Sequence, residues 1–405
     1  MFKTGTSLSQ LKLLPAVVAI AGVFAFAGTA TAADPTVGFD TTIGPPPATK
    51  AFDISFVKNS TYILADRTNA AVDLFDASAL TFTGGIGSGG FVGAVAATCT
   101  HPGTNDCSGP DGVLIDNSNH VWAGDGPASF CPTGTAGAAC RCAADDTDTT
   151  SMVKEYTLAV SNGATGRLAC LHTGGKFRAD EMAFDPKNDL LIVANDADGF
   201  LSLIKTSGTP KIVDQFFYAD NDVNKPASVR GLSTPGGGIE QPVRNPQQGF
   251  FYQALPQNTP NVGRVDVFNP KPGKLVFLRS IDVPGCDGGP SGLAINNSDE
   301  LLGACTNGVA LINARNGKVT ILGKAATVGG GDQIWFDPGS NAWYVSHSAG
   351  GQLGVVSNSP GNDIQVITQS GCCGHSVAVF FTASNSFIFN PTAAGTGISV
   401  FKATP

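Results

Sequence analysis

The feature that most constrains the fold of this 405-residue chain is a hairpin phrase that recurs along it. Each copy has a short strand entered from a Gly-rich or polar turn, an Asn/Asp/Pro turn, and a second, more apolar strand. The seven copies begin at residues 51, 110, 179, 239, 290, 331 and 374, and two of them are "PDGVLIDNSNHVWAGDG" and "GDQIWFDPGSNAWYVSHSAGG". Self-similar hairpins of this kind predict a fold built from repeated sheets.

Further strands complete each hairpin. A third strand, such as "AVDLFDA" or "RVDVFNP", follows every copy, and a fourth, such as "KLVFLRSIDV", follows the first six. The segment "TVGFDTTI", Thr36 to Ile43, can supply the strand that the seventh copy lacks. We therefore predict an all-β fold, a seven-bladed β-propeller of four-stranded blades in which this N-terminal strand closes the last blade. A six-bladed ring with an irregular extra segment is the alternative.

The composition fits sheets that are buried on both faces. Only 14% of the residues are charged, and runs such as "LLIVAND" are almost continuously apolar. The net charge of −8 and the lack of a Lys/Arg cluster argue against a phosphate-binding surface, so we expect no nucleic-acid partner. The sequence has no basic amphipathic helix, so we expect no membrane binding by the mature protein. We expect a monomer.

The first 32 residues have the layout of a secretory signal peptide. Lys3 and Lys12 precede or flank an apolar run that starts at Leu13, and the small residues Ala30 to Ala32 end the segment. A retained membrane anchor is the alternative. Residues 33–405 are predicted to form a single propeller domain, located in the periplasm or secreted.

The ten cysteines form an even set, which in an exported protein predicts disulfides. Cys99 with Cys107, and Cys131 with Cys140 or Cys142, would staple long insertions in the second blade. Cys286 and Cys305 lie where they could bridge neighbouring strands of the fifth blade. The adjacent Cys372 and Cys373 either form a vicinal disulfide or belong to separate pairs.

In a propeller the first strand of each blade lines the central channel, so the residues that open these strands converge at one mouth. Five of the seven blades offer a carboxylate there. The residues are Asp53, Asp111, Glu181 beside Asp180, Glu240, Ser291, Asp332 and His375. Clustered like charges need a compensating cation or shared protons, and a hard divalent ion such as Ca²⁺ or Mg²⁺ takes such oxygens readily. His347 and His375 would also suit Zn²⁺ or an acid–base role. The alternative is that each Asp caps a repeated turn.

The phrases "GPDGVLIDNSNHVWAGD" and "ADEMAFDPKNDLLIVANDADG" resemble the repeats of NHL and YVTN propellers and of gluconolactonase-like (regucalcin-type) propellers. The last resemblance implies a divalent ion at the channel mouth that polarises a lactone carbonyl, with a carboxylate as base. Asp111 matches one turn position of that family, and Glu181 or Glu240 could replace its glutamate. The sequence departs from the pattern at Ser291, where the family has Asn. It also departs in blade number and in its two histidines. Streptogramin-lyase-like propellers, with seven blades and a histidine, are a second precedent.

Together these observations predict an exported propeller that binds a divalent cation and a small-molecule ligand at the channel mouth, and that hydrolyses a lactone or ester. The predicted metal ligands are Asp53, Glu181, Glu240 and Asp332, and the predicted catalytic residues are Asp111, His375 and His347. Ca²⁺ is the first expectation for the cation, with Mg²⁺ or Zn²⁺ as alternatives. The competing hypotheses are a streptogramin-lyase-like lyase and a non-catalytic module that binds a partner through the loops after Gly85, Cys131 and Pro256.

Overall fold

The computed structural model describes residues 34–44, 49–95, 99, 105–218, 238–256, 262–323, 328–347, 352–368, 374–392 and 397–404. The predicted signal peptide and the pair Cys372 and Cys373 lie outside these residues and stay predictions. The compact unit that contains the sheets spans Ala33–Pro405.

Each copy of the repeat folds as one four-stranded antiparallel sheet, and the described residues form seven such sheets. The prediction of seven blades is therefore confirmed. In chain order, blade 1 contains β2 (Phe52–Lys58), β3 (Thr61–Asp66), β4 (Ala71–Asp76) and β5 (Thr81–Ile86); blade 2 contains β6 (Val113–Ile115), β7 (His120–Pro127), β8 (Ser151–Thr157) and β9 (Arg167–His172); blade 3 contains β10 (Met182–Asp185), β11 (Leu190–Asn195), β12 (Phe200–Lys205) and β13 (Lys211–Phe217); blade 4 contains β14 (Pro242–Arg244), β15 (Phe251–Leu255), β16 (Arg264–Lys271) and β17 (Lys274–Asp282). Blade 5 contains β18 (Leu293–Ile295), β19 (Glu300–Cys305), β20 (Gly308–Asn313) and β21 (Val319–Leu322); blade 6 contains β22 (Ile334–Asp337), β23 (Ala342–His347), β24 (Gln352–Ser357) and β25 (Ile364–Thr368); blade 7 contains β26 (Ala378–Phe381), β27 (Ser386–Thr392), β28 (Gly397–Thr404) and β1 (Thr36–Ile43).

The last blade is closed by the N-terminal strand, as predicted. Strand β1 pairs antiparallel with β28, with Thr36 opposite Thr404 and Ile43 opposite Ile398, and one irregularity between Phe39 and Thr41. The two ends of the propeller are thereby hydrogen-bonded to each other.

The first strands of the seven blades, β2, β6, β10, β14, β18, β22 and β26, contact one another in sequence, and β26 contacts β2, so the ring is closed. The core lies between blades because their sheets pack face to face. Ile192 and Leu203 of blade 3, for example, pack in one cluster with Phe251 and Phe268 of blade 4. Every residue of β11 is buried, which explains its continuous apolar pattern.

Asp and Asn residues at the ends of the first strands build the repeated turns. Asp116 accepts hydrogen bonds from the N–H groups of Ser118 and His120, and Asp337 accepts them from Gly339 and Ser340. The last residue of the turn adopts a left-handed conformation, with φ of 59° at Asn119. Asp189, Asp299 and Asn341 are in the same conformation at the matching positions. Asn and Asp tolerate this conformation better than other side chains with a Cβ, so the turn chemistry explains this part of the repeated phrase.

Four disulfides staple the described chain, and they include the predicted pairs Cys99–Cys107 and Cys286–Cys305. Of the two options for Cys131, the structure has Cys131–Cys140, and Cys142 pairs with Cys170. Cys140 ends a short helix, α1 (Thr135–Cys140), in the blade 2 insertion. Four disulfides indicate an oxidising compartment. None of the helices in the described residues is long and apolar enough to span a membrane.

Candidate functional site

The residues that open the first strands form a ring of equivalent positions. The N–H groups of Asp111, Asp180, Glu240 and Ser291 each donate to a second-strand carbonyl, those of Gly124, Ala194, Ala254 and Ala304, over 2.8–3.0 Å. The equivalent residue of blade 3 is therefore Asp180. Glu181, which we predicted for the ring, lies one residue further along the strand and lines the central channel.

Two buried arginines compensate part of the negative charge. Arg67 contacts both Asp53 and Asp111, with 2.8 Å between its Nε and the Asp111 Oδ1. Arg178 Nη2 lies 2.7 Å from Asp180 Oδ2 and 3.2 Å from Asp196 Oδ2, and its Nη1 lies 3.6 Å from Asp53. Neither arginine is among the predicted site residues, because the prediction rests on carboxylates and histidines alone. Their positions in the sequence are the signal that could have identified them. Arg67 directly follows β3, and Arg178 lies two residues before Asp180.

His375 supplies a third cation. Its Nε2 lies 2.7 Å from Asp53 Oδ1 and 2.8 Å from Asp332 Oδ2, so one imidazole edge bridges the blade 1 and blade 6 carboxylates. Burial alone would lower the pKa of His375, but the charges of Asp332 and Asp53 and the hydrogen bonds to them raise it to about 10. At neutral pH the imidazole is therefore charged, and it is a proton donor rather than a base.

The surroundings shift the pKa values of the carboxyl groups in opposite directions. Burial would raise the pKa of Asp53, but Arg67, Arg178 and His375 hold it below its usual value. The pKa values of Asp111 and Asp180 are well above the usual range because burial outweighs the attraction of the arginines. Burial and neighbouring carboxylates also raise the pKa values of Glu181 and Glu240, and burial raises that of Asp196 to about 6.

The ring has a buried side and an accessible side. Asp53, Asp111 and Asp180 are almost fully buried beside Arg67 and Arg178. Asp332 and His375 have side chains that are 30% and 28% exposed, and Glu240 is also partly exposed. A ligand that enters from this mouth therefore meets Glu240, Asp332 and His375 first.

The predicted metal ligands and catalytic residues are only partly brought together. Asp53, Asp332 and His375 offer donor atoms that all lie within 4.8 Å of one another, which is the spacing of a metal site. Both oxygens of Asp53 already face cationic groups, Oδ1 facing His375 and Oδ2 facing Arg67. Asp111 is fully buried against Arg67, so in this conformation it does not face incoming ligand.

His347 lies at the end of β23, and its Nδ1 contacts the backbone of Gly329. Asp125, at the matching end of β7, forms a fully buried ion pair with Lys154, whose Nζ also donates to the Gly90 carbonyl over 2.8 Å. These second-strand ends therefore hold loops in place. A catalytic role for His347 stays a prediction without a supporting contact.

No protein-family model and no curated protein matches the sequence. Among the solved structures that match, a chain of one titled "Crystal Structure of Mitotic Checkpoint Complex" is 11% identical, with a TM-score of 0.57 over 99% of both chains. At this identity the likeness supports the β-propeller fold alone. Membership of the NHL or gluconolactonase-like families stays a prediction.

Proposed function

We propose that the accessible side of the acidic mouth binds a divalent cation together with a small polar ligand. The observation that carries this proposal is the charge imbalance of the cluster. Seven carboxyl groups face three cationic groups; the carboxyls are those of Asp53, Asp111, Asp180, Glu181, Asp196, Glu240 and Asp332, and the cations are Arg67, Arg178 and His375. Burial and mutual repulsion raise the pKa values of most of these carboxyls, and a further cation would offset that penalty on their charged forms.

The donor set suits a hard cation. Glu240 and Asp332 are the carboxylates with accessible surface on the side that the arginines do not contact, and Glu181 lies one residue deeper. The Oδ1 atom of Asp180, whose charge interacts with Glu240, is buried without a hydrogen-bond partner, which indicates unused coordinating capacity. Oxygen ligands in flexible number fit Ca²⁺ first and Mg²⁺ next. Zn²⁺ would require His375 to lose its proton.

The chemistry that this arrangement supports best is the opening of a lactone or ester. A bound cation would supply Lewis-acid polarisation of the carbonyl. The partly exposed Glu240 would accept the proton of the attacking water once a bound cation has offset the rise in its pKa. The imidazolium of His375, held by Asp53 and Asp332, would donate a hydrogen bond or a proton to the leaving oxygen. Arg67 would keep Asp111 and Asp53 in place.

Metal content and thermal stability test the cation. We expect the purified protein to contain a divalent ion and to gain several degrees in Tm when Ca²⁺ is added after chelation. Glu240→Gln and Asp332→Asn should abolish the gain. The matched control Asp282→Asn, at an exposed strand position, should retain it. A protein that stays metal-free and does not respond to Ca²⁺, Mg²⁺ or Zn²⁺ would refute the proposal.

A panel of aliphatic and aromatic lactones and esters, assayed with and without chelator, tests the reaction. Turnover that disappears with chelator and in Glu240→Gln supports the hydrolase. If the protein binds the cation but shows no turnover, the proposed hydrolysis is refuted and the proposed cation site is not. Elimination products from a cyclic ester would instead indicate a lyase.

A second candidate is a protein-interaction module. A β-propeller can mediate protein interaction, and the structural neighbour described above comes from a structure of a protein complex. This candidate would be favoured by a metal-free, inert protein that nevertheless captures a defined partner from the compartment to which it is exported. The disulfides support export to the periplasm or the medium.

A further inference from the structure

Below the acidic ring, the lining of the central channel changes from charged to mainly apolar side chains. A cavity of about 570 Å³ runs along the first strands of all seven blades. Its wall is apolar over most of its length, with side chains such as Ile54, Val113, Val243, Leu293, Ile334 and Val379. Lys58, Arg244 and the half-exposed Phe381 stand where the first strands end, so the cavity opens on the face opposite the acidic mouth.

Two glutamines and one glutamate line the inner end of this channel. Gln241 and Gln333 follow the ring residues Glu240 and Asp332, and Glu181 follows Asp180, so the three occupy equivalent positions in blades 4, 6 and 3. In each of these blades the backbone carbonyl at this position accepts a hydrogen bond from the second strand, over 2.9–3.3 Å.

The glutamine side chains bridge neighbouring blades. The Gln241 Oε1 accepts from the N–H groups of Leu293 and Ile334, at 2.7 and 3.4 Å, so it joins blade 4 to blades 5 and 6. The Gln333 Oε1 accepts from Ser376 and Val377 of blade 7, and its Nε2 donates to the Ser55 carbonyl of blade 1 over 2.7 Å. The two side chains therefore link five of the seven blades at the inner end of the channel.

Glu181 differs from them. It is 3% exposed, and its Oε2 has no hydrogen-bond partner although it lines the cavity. A buried polar atom without a partner is uncommon in proteins and is usually satisfied by something bound. An apolar cavity offers water few partners, whereas ligand pockets of about 300–1,000 Å³ are mostly apolar with a few polar groups that orient the ligand.

We propose that this channel is a second binding site, which takes a small neutral amphiphile with an apolar body and one hydroxyl group. The apolar body lies along the first strands, and the hydroxyl reaches Glu181 at the inner end. A hydroxyl both donates and accepts a hydrogen bond, so it can satisfy this carboxyl in either protonation state. The site opens on the face opposite the cation site, whose accessible carboxylates are Glu240 and Asp332, and Glu181 lies between the two sites.

Trp335 provides a direct readout of occupancy. It lines the channel, is partly exposed, and packs edge-to-face on Phe56 at 5.4 Å between ring centroids. The other two tryptophans, Trp122 and Trp343, are fully buried, so they give a constant background. Titration of the full protein with 1-alkanols from pentanol to nonanol should change the Trp335 emission, and Trp335→Phe should remove the change.

The affinity should rise about three- to fourfold with each added methylene, since each buried CH₂ contributes a constant increment of transfer free energy. Val243→Phe fills the channel and should weaken 1-octanol binding at least tenfold. The same substitution at the exposed Val262, Val262→Phe, is the matched control and should leave binding unchanged. Absence of alkanol binding, affinities independent of chain length, or full binding in Val243→Phe would each overturn the proposal.

The polar anchor is tested with 1-chloroheptane, which resembles 1-octanol in length and lacks the hydroxyl. Wild type should prefer 1-octanol at least fivefold; Glu181→Leu should lose this preference, and Glu181→Gln should keep it. Equal affinities in wild type, or tighter binding of octanoate through Lys58 and Arg244 at the opening, would overturn the role of Glu181. Because the Ca²⁺ response should persist in Val243→Phe, failure of this proposal is distinguishable from failure of the cation site.

Discussion

The two ends of the central channel are lined by the same seven strands, yet they are stabilised by different forces. At the acidic mouth, buried carboxyls such as Asp53 and Asp180 are held by Arg67, Arg178 and His375. At the opposite end, side chains such as Ile295 and Phe336 are held by packing. The charged end therefore depends on pH, salt and bound ions, whereas the apolar end depends on shape and volume. Along a first strand, a single residue separates the charged positions from the apolar positions.

The largest expected effect is the loss of a compensating charge at the mouth. Arg178→Ala leaves Asp180 and Asp196 buried without their partner, and we expect a loss of about 3–5 kcal/mol in the free energy of unfolding. Denaturant unfolding of the folded variant measures it. The control Arg315→Ala removes an ion pair whose arginine side chain is 70% exposed, and should cost about 1 kcal/mol or less. Similar losses in the free energy of unfolding for Arg178→Ala and Arg315→Ala would contradict the expected difference between the buried and the exposed arginine.

In the apolar wall of the channel, Leu293→Ala should destabilise the protein by about 2–5 kcal/mol, because the fully buried side chain leaves a cavity behind. The loss should be nearly the same at pH 5 and pH 8, unlike that of a charge variant. Leu278→Ala, at a side chain that is 42% exposed, is the control and should change stability by about 0.5 kcal/mol or less. A strong pH dependence of the Leu293→Ala loss would show that the two ends are coupled.

The dependence of stability on pH is the next effect. A carboxyl with a raised pKa stabilises the folded state in its protonated form, and this contribution is lost as the pH rises through the folded pKa, about 6 for Asp196. His375 acts in the same direction, since its contribution is lost between its unfolded pKa and about 10. Asp53, with a lowered pKa, acts oppositely, but only at acid pH.

In chelator we therefore expect Tm to fall from pH 5 to pH 9, with Asp196 alone contributing on the order of 1–3 kcal/mol. Calorimetry across this range measures the fall, and addition of Ca²⁺ should reduce it. A Tm that rises steadily from pH 5 to pH 9 in chelator would contradict the assignment of raised pKa values.

The smallest effect concerns a single proton. In an NMR titration, His375 should keep its imidazolium signals at pH 8. Asp332→Asn should lower the pKa of His375 by about 1–2 units because one of two bridging carboxylates is removed. Asp282→Asn should leave it unchanged. If His375 titrates near 6.5 in wild type, the bridge between Asp53 and Asp332 is not formed in solution.

Much of the fold could be predicted from local patterns. The hairpin phrase predicts the blades, and the strand that the seventh copy lacks is enough to predict that "TVGFDTTI" joins the last blade. The site was predicted less completely. The ring of Asp111, Glu240, Asp332 and His375 followed from position in the repeat, but the placement of Glu181 required the register of blade 3, and the roles of Arg67 and Arg178 required knowledge of which blades meet.

The sequence by itself determined the number of blades, their strand order and the face to which the acidic residues belong, because these depend on the periodicity of a single chain segment. Tertiary structure decided which charges meet. Arg67 reaches Asp111, 44 residues away, and His375 reaches Asp53 across 322 residues, because closure of the ring brings distant strand ends to one axis. Proton affinity depends on such neighbours and on burial, and neither is a property of local sequence.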